Sequence, residues 1–384
     1  MLIAHRIALD PNNAQATYFA RAAGTARFAY NWALAEWGRQ YEAWKADNTQ
    51  PKPSQMALRR QLNAIKRAQF PWMLEVTKNA PQMAIIHLGQ AFQNFFAGRA
   101  RYPQFRKKGH HDRFSLTNDQ FDLDASRIRI PNLGWVRMRE SLRFTGKLMS
   151  ATISRVADQW FVSITVDTQD SSHLPQAQNH GVVGVDLGVS ALATLSTGEK
   201  ITGPKAHKAL LGRLRRLSRS LSRKQKGSAN RSKAKAKLAR LHARIATIRA
   251  DALHKLTTDL TRRYHTIGVE DLNVRGMLQN KRLARSIADM SFFEFRRQVK
   301  YKAVMRGGLV VVADRWFASS KTCSECGHKM KSLPLQTRQW ACPACKQIHD
   351  RDINAAVNLS NNAVSSTVSA CGEEGAGRSR KTPA

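Results

Sequence analysis

Two cysteine pairs, Cys323-Ser-Glu-Cys326 and Cys342-Pro-Ala-Cys345, stand four residues ahead of an acidic stretch, His349-Asp-Arg-Asp352-Ile-Asn354. Fifteen residues separate the pairs, a spacing that predicts a zinc ribbon. Each knuckle offers two thiolates, and together they close a tetrahedral structural Zn²⁺ site with no open position for chemistry. The same residues allow two disulfides or a redox CxxC, but paired knuckles at this spacing favour the metal. Cys323, Cys326, Cys342 and Cys345 are therefore expected to hold zinc as a staple.

The charge narrows what the rest of the chain does. Across 384 residues there are 63 Lys and Arg against 27 Asp and Glu, a net charge of +36. Self-repulsion on that scale is best tolerated when a polyanion neutralises it. Nucleic acid fits, and a membrane surface is the rival partner. Met1-Leu-Ile-Ala-His-Arg6 turns charged at once, and no apolar run approaches the roughly 18 residues of a membrane span. No membrane partner is expected. Five cysteines, four of them in knuckles, suit a reducing cytoplasm.

That charge is concentrated. Residues 201–250 carry 16 Lys and Arg and no acid. Leu210, Leu214, Leu217 and Leu221 recur at helical steps, as do Leu238, Leu241, Ile245 and Ile248, with Gly227-Ser228 between the two sets. This predicts an αα-hairpin with cationic outer faces. An ordinary solvated helix alternates signs to gain i,i+4 pairs, and a one-sign helix forgoes them. Arg215, Arg216, Arg219, Arg223, Lys224 and Lys226 are thus read as phosphate contacts, which position a strand without reading its sequence.

Ahead of the hairpin, residues 1–9 alternate like a strand, and the period is helical from Pro11 to about Phe96. Phe28, Tyr30, Trp32, Trp37, Tyr41 and Trp44 cluster there; base stacking is possible, but helical spacing favours a core role. After a basic connector from Arg99 to Lys108 the period shifts towards two, predicting several antiparallel strands closed into a small barrel. A polar stretch from Asp167 to His180 reads as a linker.

Beyond it, Gly181-Val-Val-Gly-Val-Asp186 and Tyr264-His-Thr-Ile-Gly-Val-Glu270 are apolar strands, each ending in an acid. Acids are rarely buried without a partner or a metal. Asp186, Glu270 and Asp352 brought together would repel one another unless divalent cations lay between them. Oxygen-only ligands suit Mg²⁺ or Mn²⁺, and two such ions could activate water and stabilise the leaving oxygen of a phosphodiester. Alternatively, each acid caps a strand end or the following helix.

Several stretches resemble the TnpB family, RNA-guided nucleases of bacterial insertion sequences related to type V CRISPR effectors. They are Arg27-Phe-Ala-Tyr-Asn31-Trp-Ala-Leu34, Ala91-Phe-Gln-Asn-Phe-Phe96, Pro103-Gln-Phe105, Gly184-Val-Asp186-Leu-Gly188, Val269-Glu270-Asp-Leu272, Ser319 to Gly327, Asp350-Arg-Asp352-Ile-Asn354-Ala355 and Cys371-Gly-Glu-Glu374. Leu9-Asp10-Pro11 departs from the family's usual aromatic before the proline, so no DNA-contact residue is carried over. The resemblance implies an α/β multidomain protein: a RuvC-type, RNase H-like nuclease domain with an inserted zinc ribbon, a helical recognition lobe and a small β-barrel wedge domain. The implied parts are a first wedge strand at 1–10, a recognition lobe at 11–105, a wedge barrel and linker at 106–178, and a nuclease domain at 179–319 with the basic hairpin at 205–250. A ribbon at 320–347, the end of the nuclease domain at 348–362 and a flexible tail at 363–384 complete the chain.

Asp186, Glu270 and Asp352 match the family's catalytic Mg²⁺-binding triad, and Asp350 is the lesser candidate. The implied partners are a noncoding guide RNA from the element's end and double-stranded target DNA, cut next to a short flanking motif, in a bacterial, nucleoid-associated setting. A silent guided repressor, a compact CRISPR effector and a stand-alone resolvase are the other classes such a chain could fill.

Overall fold

The computed structural model describes residues 1–169, 178–334 and 336–373, without the side chains beyond 367. It divides into two compact units at residues 170/171. Most of the expected linker, residues 170–177, and residues 374–384 lie outside the described residues.

In the first unit, strand β1 (Leu2–Asp10) leads into helices α1 (Asn13–Ala46), α2 (Gln55–Gln69) and α3 (Asn79–Phe96). Six strands follow: β2 (Arg113–Thr117), β3 (Asp122–Asp124), β4 (Arg127–Ile130), β5 (Gly134–Met138), β6 (Lys147–Val156) and β7 (Gln159–Asp167). A capping box starts α1: the Asn12 side chain accepts from the Gln15 amide at 2.9 Å, and the Gln15 side chain accepts from the Asn12 amide at 3.0 Å. Strict alternation buries Ile3, His5, Ile7 and Leu9 on one face of β1. Ile7 and Leu9, with Phe19 of α1, Leu88 of α3, Phe114 of β2 and Val162 of β7, build one core.

The seven strands run in the order β2-β6-β7-β1-β5-β4-β3. This corrects the expected barrel. The ends of the order, β2 and β3, are not paired, so the sheet stays open. Closure would need both edge strands free to meet, whereas β2 packs against α1 and α3, and β3 has only three residues.

The second unit opens with β8 (Val182–Asp186), β9 (Ala193–Leu195) and β10 (Lys200–Ile201), then α4 (Ala206–Ser222) and α5 (Ala229–Arg263). Next come β11 (Thr266–Glu270), α6 (Val274–Met277), α7 (Ala284–Met290), α8 (Phe292–Met305) and β12 (Leu309–Ala313). A short hairpin of β13 (Gln339–Ala341) and β14 (Ile348–Asp350) feeds directly into α9 (Arg351–Glu373). The sheet order is β10-β9-β8-β11-β12, with β8, β11 and β12 mutually parallel. Helix α9 carries residues 363–373, part of the stretch expected as a tail. Leu359 and Ala363 are buried on the side of α9 that covers the sheet.

Two glycines set how closely α9 lies on that sheet. Gly184 of β8 and Gly268 of β11 are partners in register. A Cβ on Gly184 would lie 1.8 Å from the Ala356 carbonyl oxygen, and one on Gly268 would lie 2.4 Å from that of Leu359. Both obstacles are helix backbone, which cannot swing aside. Gly184→Ala is therefore expected to cost about 3 kcal/mol by lifting the helix, and Gly268→Ala somewhat less. Thermal unfolding of the two variants checks this; an unchanged midpoint for Gly184→Ala would mean the helix shifts freely.

Candidate functional site

Parallel pairing brings the first two acids together. The last matched pair between β8 and β11 is Val185 with Val269, and the next residue on each strand is an acid, Asp186 and Glu270. Neighbouring strands lie about 4.8 Å apart, so both carboxyl groups stand at the carboxyl ends of adjacent central strands. Asp352 arrives from the first turn of α9, the helix that lies across those strands. Burial, then the negative charges of Glu270 and Asp352, push Asp186 up to about 8. Two acids from two other elements thus act electrostatically on Asp186.

The neighbouring acids are otherwise engaged. Asp350 accepts from the amides of Asp352 and Ile353 at 3.0 and 3.1 Å, capping α9, and pairs with Lys200 at 2.7 Å. Burial alone would raise its pKa, but Lys200 and those amides outweigh it and hold it below the ordinary value. Asp271 pairs with Arg296 and, at 3.0 Å, with Arg315, which keep it ionised and turned to them. Capping and pairing consume these two acids, while Glu270 and Asp352 lie close enough to Asp186 for their charge to raise it.

Some supporting groups left little trace in the sequence. The Ser319 hydroxyl donates to Glu270, and its own carbonyl oxygen accepts from Asn354 at 3.3 Å and Asn358 at 2.7 Å. Both asparagines are buried, and both also donate to the Thr322 carbonyl. They clamp the segment leading into the first knuckle onto the helix that carries Asp352. Arg338, from the ribbon, lies 3.5 Å from Asp352. The buried asparagines at i and i+4 were a legible clue; Arg338 had none.

The four cysteines converge. Cys323 and Cys345 sulfurs are 3.6 Å apart, as are those of Cys326 and Cys342. A tetrahedron with metal–sulfur bonds of about 2.3 Å has edges near 3.8 Å, so the donor set fits zinc. Its electrostatics ask for a cation as well. The Cys345 amide, foremost, lowers the Cys342 thiol to about 6. The Gln347 amide pulls Cys345 down too, but burial and the three neighbouring sulfurs push it up to about 12. Four thiolates cannot share this space uncompensated. Buried His349 places Nε2 3.0 Å from the Cys323 sulfur and packs its ring on Trp340, one residue before Asp350.

The basic hairpin forms as α4 and α5, packed through Leu210, Leu214, Leu217, Leu241 and Ile245. Gly227 makes the turn at φ +87°, and the Ser228 side chain caps α5. Arg215, Arg216, Arg219, Arg223 and Lys226 are exposed and Lys224 half-buried, with no acid partner among the described residues. They lie along α4 and the turn that follows it. Arg231 behaves differently: its guanidinium donates to the Leu221 and Lys224 carbonyls and closes the turn. No helix is long and apolar enough to cross a membrane among the described residues.

Comparison with known proteins gives matches along the chain. Residues 162–281 match a family described as "Probable transposase", and residues 292–359 match "Cas12f1-like, TNB domain". Residues 1–45 match a "Helix-turn-helix domain", although here that stretch is β1 followed by the single helix α1. A protein of Streptomyces pristinaespiralis described as "Putative RNA-guided DNA endonuclease" is 40% identical over 373 residues, covering 94% of this chain and 89% of its own. The "Putative RNA-guided DNA endonuclease InsQ" of Escherichia coli (strain K12) is 35% identical over 390 residues, covering 97% and 94%. Among solved structures, the Cas12f1 chain of a Cas12f1–sgRNA–target DNA complex shares the fold at TM-score 0.56 with 15% identity, over 91% of this chain and 83% of that one. With such identity held across nearly its whole length, the chain belongs to the TnpB family.

Proposed function

We propose that this protein is an RNA-guided DNA endonuclease whose single RuvC-type site hydrolyses phosphodiesters with Mg²⁺ or Mn²⁺. The observation that carries the reading is the pair Asp186 and Glu270 at the ends of adjacent parallel strands, with Asp352 from α9 near enough to help raise Asp186, in a chain of net charge +36. A carboxyl group kept from ionising by burial and by two neighbouring acids is a site that a divalent cation would relieve.

In this reading Asp186, Glu270 and Asp352 are the ligands. Two bound ions would supply an activated water and charge stabilisation at the leaving oxygen. The chain's own part is positioning. Ser319 orients Glu270 through a hydrogen bond, and Arg338 stands by Asp352 to hold it or to meet a phosphate. Base pairing with a guide RNA reads the target, while the protein reads a short flanking motif and holds duplex backbone. The first unit's open sheet and helices correspond to wedge and recognition parts, and Cys323, Cys326, Cys342 and Cys345 hold zinc. The setting that follows is the bacterial nucleoid.

RNA copurifying from cells with the native locus is expected to be one discrete species that programs plasmid cleavage at a matching site. Purified protein with no discrete RNA, or with RNA that directs no cleavage, would sink the reading.

Within it, the hairpin holds nucleic-acid backbone. Replacing Arg215, Arg216, Arg219 and Lys224 together by Gln is expected to weaken duplex binding and to flatten the log–log salt dependence by up to roughly 3.6, at about 0.9 per lost phosphate contact. An unchanged slope would make these side chains merely solvated.

A further inference from the structure

A concave site lies in the first unit, well separated in sequence from the carboxylates. Phe105, Arg106, Lys107, His110, His111 and Arg113 line a cavity of about 460 Å³. That size falls among small-ligand pockets, which run from about 300 to 1,000 Å³. Its lining is wholly cationic, imidazole or aromatic, with no acid.

The loop that forms it is built to stay put. The Asn31 side chain grips the backbone of Arg106 from both sides, accepting from its amide at 2.8 Å and donating to its carbonyl at 2.9 Å. The Arg106 guanidinium rests 3.5 Å over the Tyr30 ring. Asp112, the acid nearest in sequence, is occupied by Arg27 at 3.1 Å and by the Gly109 amide at 3.2 Å. Lys107 and Arg113 are left with no acid partner among the described residues, and both are exposed. Against this fixed frame Phe105 stands 59% exposed. An exposed phenylalanine costs solvation unless something covers it, and most aromatics of this unit are at least half-buried.

We propose that this hollow binds one unpaired nucleotide, its base stacked on Phe105 and its phosphates held by Lys107 and Arg113. Cations alone would suit any anion; an aromatic face among them suits a base joined to a phosphate, the combination used to hold single strands. A base inside a duplex already has its faces stacked on its neighbours, so an unpaired base is the one with a face free for Phe105. The inference rests on the nucleic-acid function proposed above and adds a place where a strand leaves its duplex. Guide RNA and displaced or frayed DNA share this chemistry, and the test separates them.

Full-length protein, freed of copurified nucleic acid and kept without added Mg²⁺, is titrated with a short oligoadenylate carrying one 2-aminopurine, as RNA and as DNA. Wild type is expected to quench the probe. Phe105→Leu keeps the apolar bulk but lacks the ring; it is expected to lose most of the quench and to bind roughly five- to a hundredfold more weakly. Lys107→Gln with Arg113→Gln is expected to keep the quench at saturation while lowering the salt slope by roughly 1.4. Quenching of the ribo probe alone assigns the pocket to RNA, and of the deoxy probe alone to DNA. Equal quench and affinity for wild type and Phe105→Leu overturns the proposal. Guided plasmid cleavage by the same preparations keeps the two questions apart. Cleavage with an indifferent Phe105 removes only the pocket, whereas no discrete RNA and no cleavage removes the nuclease reading.

Discussion

Asp186→Ala, Glu270→Ala and Asp352→Ala are each expected to abolish Mg²⁺-dependent cleavage of a guide-matched plasmid while leaving guided DNA binding near wild type. Affinity in such a system comes from phosphate contacts and base pairing, whereas the carboxylates hold the ions that make the chemistry possible. A loss of roughly 10³-fold or more is expected for each, and double variants should be no worse than single ones, because the ligands act as a unit. Asp350→Ala makes the sharper comparison. It removes a helix cap and the Lys200 pair, so it should cost about 1 kcal/mol of stability and leave much of the activity. Plasmid cleavage and gel shift, run on the same proteins, check both. A wild type that binds its matched target but never cuts it, with Mg²⁺ or Mn²⁺, would make the protein a guided repressor. Cleavage lost in Asp350→Ala and kept in Asp352→Ala would exchange the roles of the two acids.

Cys342→Ser is the second change with a large expected effect. Wild type should hold about one zinc per chain by the four-ligand rule, and the variant should hold far less. Because binding energy at such a site is folding energy, the ribbon should loosen. Asp352 follows the ribbon's second strand almost directly, Arg338 reaches it from the ribbon, and His349 joins the Cys323 sulfur to the Trp340 ring. Loosening should therefore displace Asp352 and slow cleavage by about 10²-fold, the scale of an ångström-sized misplacement. Guided binding should weaken much less. Elemental analysis and single-turnover cleavage decide this. A zinc-free wild type, or a fully active serine variant, would break the link between ribbon and site.

How much of this was legible beforehand depended on whether the signal was local. The knuckles were readable because a structural zinc site draws its ligands from short, fixed spacings, and the four sulfurs do converge. The hairpin was readable because helical periodicity and a glycine turn are properties of neighbouring residues; α5 merely runs on to Arg263, past the expected end at 250. Among the aromatics of the long helical region, Tyr30 is buried, and Trp37 stacks on Phe92 with centroids 4.1 Å apart, the core role that helical spacing favours. The closed barrel was misjudged for the opposite reason. Period-two alternation reports strands with a buried face, but closure depends on what occupies the edges, and β2 is occupied by helices.

Residue order alone determined that Asp186 and Glu270 end apolar strands, that Asp352 follows a metal knuckle, and that one basic segment lacks acids. Each is a statement about chemistry within a few positions along the chain. Only the tertiary structure decided that β8 and β11 are adjacent and in register, that paired glycines let α9 lie across them, and that Asp350 turns to Lys200 and the helix amides while the charge of Asp352 acts on Asp186. The two acids stand only two positions apart in sequence, so no local rule separates them. What separates them is which donors the fold brings within hydrogen-bonding distance, and those donors come from elements up to 150 residues away.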